Sequence, residues 1–505
     1  MTRDRTSGGT TTMTTTKTTT KTTAAAAAAT STNRDRSNRY CIIGGGAAGI
    51  ATAKNLREHG IEFDLIERED DIGGTWYYGK PCSAIYKSVH MISSREFSEY
   101  TDYPMPADYP TYARGDQALA YLRDYARRFG VYEHAEFNRT VLEVAPLADG
   151  GRWRVELDGH EVRHYKGVFV CNGHLSKPQV PDYPGRFDGL QLHSALYKTP
   201  DVLKDKRVLV VGAGNSGCDI AVEAAHHARA VFHSTRRGYY YWPKFLFGIP
   251  ADRWAEWPLK LRLPLWARRF FGVRLLRLTT AGQPEDYGLP KPDHKLFEAH
   301  FIINSTLFYH LGHGDLVAKP DVVELKGDRV AFSDGSEEQI DAIVYATGFQ
   351  LSFPFLDPSY LLWDKMQPRL YLNIFDQAHP NLFFIGLFQT STGNWPLMDY
   401  QARLVARYLR ARDAAPRKAA RIDRLIRRDR SNWNGGIHFS DTQRHVIEVE
   451  HFAYRLQLKR LIRALPDSRA AARQGRPVAV ATAVQAPAPA AAAAPAAVRV
   501  QTGDA

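Results

Sequence analysis

The chain is poor in cysteine, has no long apolar run and carries no excess of acidic groups, and each shortage removes a class of function. Its four cysteines, Cys41, Cys82, Cys171 and Cys218, stand far apart and never as C-x-x-C. Neighbouring thiols therefore form neither an electron-accepting dithiol nor a zinc site, and no metal is expected. Scattered thiols suit a reducing compartment, so the expected location is cytoplasmic. No stretch approaches the roughly 18 consecutive apolar residues that a membrane-spanning helix requires. Acidic residues number 54 against 66 Lys and Arg, a formal net charge of +12. Of this excess, +6 lies at the ends, because residues 1–38 carry six basic and two acidic groups and residues 466–505 carry four and two. Those ends are Thr-, Ala- and Pro-rich, with too little apolar side chain to offset the entropy of ordering, and both are expected to be disordered tails. The Thr-rich start lacks the apolar core of a targeting peptide. The remaining positive charge concentrates in 244–277 and 403–430, where solvated helix faces or a weak membrane-surface patch explain it better than a nucleic-acid site.

What the chain does contain is two glycine-rich turns, each set between a strand and a helix. The first follows a short apolar strand over 40–43 and reads Gly44-Gly45-Gly46-Ala47-Ala48-Gly49. A helix over 50–59 and a strand over 62–66 come next, and Glu67 closes the unit about twenty residues beyond the turn, as a dinucleotide fingerprint requires. Gly44 permits the tight turn, Gly46 lets the backbone approach a pyrophosphate, and Gly49 allows helix and strand to pack closely. Free amides at the helix start then face the phosphates, and Glu67 would accept hydrogen bonds from a ribose diol.

The second turn, Gly212-Ala213-Gly214-Asn215-Ser216-Gly217, lies between a strand over 207–211 and a helix over 218–226 that opens with Cys218 and Asp219. The next strand, 230–233, does not end in Asp or Glu but runs into Ser234-Thr235-Arg236-Arg237. Guanidinium groups there can pair with a ribose 2′-phosphate that a carboxylate would repel, so NADPH is expected in this site and FAD in the first. Two nucleotide sites without a dithiol exclude the disulfide reductases, which also combine such loops.

Three further segments narrow the reading. Gly73-Gly74-Thr75-Trp76 follows the first unit. The segment 90–106 contains Ile92, Ser93 and Ser94 and precedes an amphipathic helix over 117–129. Phe187, Gly189, His193, Tyr197 and Lys198 stand as F-x-G-x-x-x-H-x-x-x-Y-K before the second turn. Taken with Ala346-Thr347-Gly348 and the apolar strand 380–389, these motifs resemble the flavin-containing monooxygenases over about residues 39–430. The resemblance implies an α/β fold with two dinucleotide-binding Rossmann-like domains, an FAD domain with an inserted NADPH domain, and disordered tails. The expected division is tail 1–38, FAD domain 39–205, NADPH domain with an aromatic-rich insertion 206–334, second FAD part with C-terminal helices 335–465, and tail 466–505. Short strands over 140–171 are expected to form a small antiparallel insertion.

The same resemblance implies that NADPH reduces FAD, that dioxygen adds at flavin C4a, and that one oxygen atom passes to a small substrate at a soft nitrogen or sulfur. No side chain is then a catalytic nucleophile. Thr75 and Trp76 belong to the segment that crosses the cofactor, and Ile92, Ser93 and Ser94 face the flavin. Many family members carry Asn where this chain has Ile92, so the resemblance implies faster loss of hydrogen peroxide or compensation by Ser93 or Ser94. His193 and Lys198 are expected to tie the two domains rather than to donate protons. The partners implied are a small organic substrate and dioxygen, without nucleic acid, and a homo-oligomer is left open. The competing readings are a Baeyer–Villiger monooxygenase acting on ketones, whose motif ends in Trp followed by Pro or Asp, and a non-catalytic FAD and NADPH sensor.

Overall fold

The computed structural model describes residues 33–469 apart from 262, 280–282, 365, 429–433 and 441–444. Its larger sheet is built on parallel strands in the order Leu382–Phe384, Glu161–Val170, Asn33–Ile43, Phe63–Ile66 and Ala135–Glu136. The apolar half of the first strand supplies Tyr40, Cys41, Ile42 and Ile43, all buried. Its polar half, from Asn33, pairs with Glu161–Val170 in the register Asn33↔Val162 to Arg36↔Tyr165. Residues 33–38, counted above as tail, are therefore strand. Ion pairs rather than apolar contacts accompany them, Arg34 to Glu161 at 3.3 Å and Arg36 to Asp64 at 3.6 Å.

The helix Ala47–Glu58 lies between this sheet and the long helix Trp395–Ala414. Its residues Ala48 through Leu56 are all buried, including Lys54 and Asn55. Small side chains on the sheet side allow the close approach, and Asp399 of the long helix accepts from both Lys54 Nζ at 2.8 Å and Asn55 Nδ2 at 2.7 Å. The amphipathic helix spans Gly115–Arg128 and buries Ala118, Tyr121, Leu122 and Tyr125. Tyr121 stacks on Trp395 at 5.7 Å, which joins it to the start of the long helix. The antiparallel element forms as expected from Val141–Pro146 and Trp153–Leu157, but the two strands predicted over 161–171 are one continuous strand, Glu161–Val170. Gly167 keeps it unbroken where Asn381 and Tyr40 crowd in, since a Cβ there would lie 2.6 Å from the Asn381 carbonyl oxygen.

The second sheet is parallel throughout, in the order Val317–Lys319, Ala230–Ser234, Arg207–Val211, Ala342–Tyr345 and Leu190–His193. It therefore reaches beyond residues 206–334 on both sides. One edge strand comes from the F-x-G-x-x-x-H segment, and a central strand comes from the residues just before Ala346-Thr347-Gly348. Gly185–Phe187 pairs with Val322–Gly327 of an adjoining antiparallel meander, burying Phe187 among Leu325, Val330 and Phe332. Among the described residues no helix is long and apolar enough to cross a membrane.

Candidate active site

Both glycine turns sit at the carboxyl ends of their sheets. A Cβ on Gly49 would lie 1.8 Å from the Gly44 carbonyl oxygen, and one on Gly217 would lie 1.9 Å from that of Gly212. No side chain fits at either point, so each helix starts hard against its strand. In the first unit Ile50 N–H makes the opening helical bond to Gly46 O at 3.1 Å, which leaves the amides of Ala47, Ala48 and Gly49 at the mouth. In the second unit that bond runs from Cys218 N–H to Gly214 O at 3.0 Å, leaving Asn215, Ser216 and Gly217. Two such anion-binding ends suit two nucleotides.

Glu67 ends its strand beside the first turn, buried, accepting hydrogen bonds from Gly45 N–H and from Glu69 N–H at 2.9 Å. Burial pushes its carboxyl up, while these two amides oppose the shift. The Gly-Gly-Thr-Trp segment lies directly on the turn. Gly73 N–H reaches Gly45 O at 3.2 Å, and Gly74, with φ +53°, would bring a Cβ within 2.9 Å of Gly46 Cα. Thr75 Oγ1 accepts from Ala84 N–H at 3.2 Å, and Trp76 meets Trp395 edge-on at 5.8 Å. Trp76 is thus part of the wall that holds the turn in place.

Ser93 and Ser94 are buried beside a second polar segment, Thr390-Ser391-Thr392-Gly393-Asn394. Gly393 packs its backbone on Phe97, where a Cβ would be 1.9 Å from the carbonyl oxygen. Ser93 Oγ is bonded to Ser98 Oγ at 2.8 Å, so its hydroxyl is already engaged. Ser94 Oγ, Thr390 Oγ1, Thr392 Oγ1 and Asn394 Oδ1 are buried without a hydrogen-bond partner among the described residues. Buried polar atoms are rarely left so, and this group fits the polar edge of a flavin ring. The sequence reading missed Thr390, Thr392 and Asn394. Their signal was a run of small polar residues between the strand and Trp395-Pro396, the start of a helix that begins at the first sheet's cofactor end.

Ile92 forms part of the wall of a cavity of about 550 Å³. The aromatic insertion covers it with Trp242, Trp254 and Phe271, and Tyr112 and Thr392 line it from the larger domain. The helix Ala251–Lys260 is fastened to the Ser93-Ser94 loop by Asp252, whose Oδ2 accepts Ser94 N–H at 2.7 Å. The insertion therefore roofs a chamber that meets the Ser93-Ser94 loop.

Of the F-x-G-x-x-x-H-x-x-x-Y-K residues, Lys198 reaches the first unit, and the others pack or bond within the second unit and its exit. His193 Nε2 is 3.0 Å from Gly348 O and its Nδ1 accepts Ala195 N–H, so the ring is neutral and burial holds its pKa down. Tyr197 donates to Glu223 at 2.6 Å, within the second unit. Lys198 Nζ donates to Ser83 O at 2.9 Å and Ile85 O at 3.1 Å, on the loop that follows Trp76. Gly189 admits the Asp341 carbonyl oxygen, which a Cβ would meet at 2.5 Å.

At the second turn the assigned residues separate. Asn215 Oδ1 accepts Ile303 N–H at 2.7 Å. Asp219 is enclosed between Tyr86 Oη at 3.0 Å and Asn304 Nδ2 at 2.8 Å, with burial pushing its carboxyl up. The Cys218 thiol is fully buried in the helix-sheet core, and its amide makes the opening bond of the helix. Arg236 is exposed at the end of its strand, whereas Arg237 is held by Asp293 through Nε at 2.7 Å and Nη2 at 3.1 Å.

Two glycine-turn units, each at the end of a set of parallel strands and joined through Lys198, define a flavoprotein with two dinucleotide sites. A model of the family described as flavin-binding monooxygenase-like matches residues 37–480. Flavin-containing monooxygenase 1 of Homo sapiens is 36% identical over 423 residues, covering 79% of each chain. Flavin-containing monooxygenase 5 of Oryctolagus cuniculus is 32% identical over 452 residues, 85% of this chain and 83% of its own. Among solved structures, S-allyl-L-cysteine S-oxygenase from Allium sativum superposes with a TM-score of 0.59 at 22% identity, covering 87% of this chain and 92% of its own. An oxidised steroid monooxygenase bound to NADP superposes with a TM-score of 0.63 at 19% identity, covering 85% and 98%. The chain belongs to the flavin-binding monooxygenase-like family. It is an oxidoreductase that uses FAD and NADPH.

Proposed function

We propose that the protein places one oxygen atom of dioxygen on a soft nitrogen or sulfur of a small apolar substrate held in the cavity beside Ile92. The observation that carries this is the position of the cavity, whose wall includes Ile92, next in sequence to Ser93 and Ser94. FAD, reduced by NADPH, supplies the oxygen chemistry when bound. The chain supplies the rest: amides 47–49 and Glu67 for FAD, amides 215–217 and Arg236 for NADPH, Thr390, Thr392 and Asn394 for the ring's polar edge, and an aromatic roof that excludes water. Ile92 offers no hydrogen bond to the reacting centre, so part of the NADPH consumed is expected to end as hydrogen peroxide. Buried thiols and a cytoplasmic location belong to the same reading.

The test is a substrate panel of tertiary amines, sulfides and cyclic ketones, followed by NADPH consumption and product mass. Amine oxides or sulfoxides are expected, and esters from ketones alone would replace this reading with Baeyer–Villiger chemistry. Binding of both cofactors with no substrate-linked oxygen consumption would instead indicate a sensor. Ile92→Asn should lower the peroxide released per NADPH.

A further inference from the structure

We propose that Asp252 discharges protonated amine substrates, its carboxylate taking the ammonium proton so that the nitrogen lone pair is free to be oxygenated. This rests on the nitrogen-oxygenation reading above and assigns it a residue. Asp252 opens the helix Ala251–Lys260, is 7% exposed, and lines the cavity together with Ile92. Its Oδ2 accepts Ser94 N–H at 2.7 Å and its Oδ1 accepts Arg253 N–H at 3.0 Å, which fixes the carboxylate one hydrogen bond from the flavin-facing loop.

Three carboxylates line this chamber, and they differ in their partners. Glu448 Oε1 is paired with His300 Nδ1 at 3.1 Å, and its Oε2 is buried without a hydrogen-bond partner among the described residues. Glu450 caps the helix His451–Ala464 through Ala453 N–H at 2.6 Å and has Arg268 Nη2 at 3.8 Å. Asp252 makes no ion pair among the described residues, because the guanidinium of the neighbouring Arg253 is turned to Glu96. Of the three it is the one with no Arg, Lys or His at ion-pair distance among the described residues, and it shares its wall with Ile92.

A chamber walled by Trp242, Trp254 and Phe271 disfavours an isolated ammonium, and a carboxylate on its wall compensates that loss. The ammonium itself cannot be oxygenated, since its electron pair is held in the N–H bond. In a poorly solvated site the neutral pair is favoured over the ion pair, so the N–H bond breaks, an O–H bond forms on Asp252, and the electron pair stays on nitrogen. The two charges cancel, and the proton returns to solvent as the product leaves. Burial pushes the Asp252 carboxyl up, in the direction such an acceptor needs. A sulfide already has its lone pair and makes no use of this residue.

The first measurement is equilibrium binding by tryptophan fluorescence of benzyltrimethylammonium, which can be neither deprotonated at nitrogen nor oxygenated, against its neutral carbon isostere neopentylbenzene. Wild-type protein should prefer the cation by about tenfold, and Asp252→Asn, which keeps an acceptor for Ser94 N–H, should lose that preference. The second measurement is kcat/KM. In Asp252→Asn oxygenation of N,N-dimethylbenzylamine should fall about 100-fold while that of benzyl methyl sulfide stays within about threefold, and Asp252→Glu should recover part of the amine activity. Equal losses on both substrates with FAD retained, or no preference of the wild type for the cation, would overturn the proposal. If the wild type oxygenates neither substrate, the functional reading fails, and the cation preference alone still decides whether Asp252 is a cation site.

Discussion

His193 Nε2 lies 3.0 Å from the Gly348 carbonyl oxygen, so the histidine of the F-x-G-x-x-x-H segment is bonded to the glycine of the Ala-Thr-Gly segment. These are the two places where the chain enters and leaves the second sheet, on its neighbouring strands Leu190–His193 and Ala342–Tyr345. The bond joins the two crossings without touching either glycine turn, and its loss is expected to disturb how the NADPH unit meets the FAD unit. His193→Ala should keep its full FAD content and reduce bound flavin about fivefold more slowly with NADPH, since a single lost hydrogen bond is worth about 1 kcal/mol. Flavin absorbance of the purified variant and stopped-flow bleaching at 450 nm, roughly the usual flavin maximum, check both halves. Normal reduction would show that the bond is dispensable for orientation.

The two arginines after the second unit are expected to behave differently. Arg237 is committed to Asp293 by two hydrogen bonds, which hold the Asp293 carboxyl down to about 2. Arg236 is exposed and is the guanidinium available to a 2′-phosphate. Arg236→Ala should raise the KM for NADPH about thirtyfold, the worth of roughly 2 kcal/mol for a charged hydrogen bond, and leave the KM for NADH unchanged. Arg237→Ala should cost less cofactor discrimination and more thermal stability. Steady-state kinetics with both nucleotides and a melting curve separate the two roles, and an NADPH preference unaltered in Arg236→Ala would remove that residue from the site.

The parts legible in the sequence are those whose requirement is local. Gly49 and Gly217 announce themselves because a Cβ at either position collides with a carbonyl oxygen five residues earlier, and only a glycine pattern meets that demand. His193, Lys198 and Gly348 were legible as motif residues, but not their partners, because the register Tyr345↔His193 joins segments remote in sequence. Residues 33–38 read as tail because a strand end accompanied by Arg–Glu and Arg–Asp pairs has no apolar alternation. Cys218 was assigned to the cofactor from its place in the motif, yet helical geometry turns its side chain onto the sheet. Thr390, Thr392 and Asn394 become candidates only once the fold shows their oxygen atoms buried and unpaired. Asp252 is a similar case, an acid at the start of an aromatic-rich helix whose meaning comes from Ser94 on another segment.

Two buried histidines make the fold acid-sensitive in a defined window. Burial holds His233 down to about 4, with its Nε2 3.2 Å from Gly212 O, and burial likewise holds His59 down to about 4. In the unfolded chain each titrates near 6.5, so below that pH the unfolded state binds protons that the folded state does not. Stability is therefore lost as pH falls from 6.5 towards 4, by about 2 kcal/mol per group at pH 5. His233→Gln, which keeps a donor for Gly212 O, should shrink the drop in urea stability between pH 7 and pH 5 by about that amount. An unchanged drop would place the acid sensitivity elsewhere.

The contact between the first helix and the long C-terminal helix is ionic at its centre, and the consequence is a double-mutant cycle. Lys54 and Asp399 are both fully buried, 2.8 Å apart, with Arg403 Nη2 also 2.8 Å from the aspartate. Burial alone would raise the Asp399 carboxyl, but Lys54 and Arg403 outweigh it and hold it down to about 2. Because the folded value lies below the unfolded one, this contribution is complete above about pH 4 and disappears as the pH falls towards 2. Asp399→Asn leaves the buried Lys54 ammonium with Asp102, 2.7 Å away, as its remaining carboxylate, and it should destabilise the protein by about 3 kcal/mol, the low end for breaking a buried pair. Lys54→Met alone leaves Asp399 its partner Arg403, so its cost should be smaller. The double variant Lys54→Met, Asp399→Leu removes both charges of the direct pair and should recover much of the single loss, as buried ion pairs replaced by packed apolar groups commonly do. Since the first amides of the helix Ala47–Glu58 are those proposed above for FAD, the single variant should lose flavin on heating before the second sheet unfolds. Flavin fluorescence released on a temperature ramp, read beside circular dichroism, gives the order of the two events, and simultaneous loss would mean that the ion pair holds the whole molecule rather than the FAD unit.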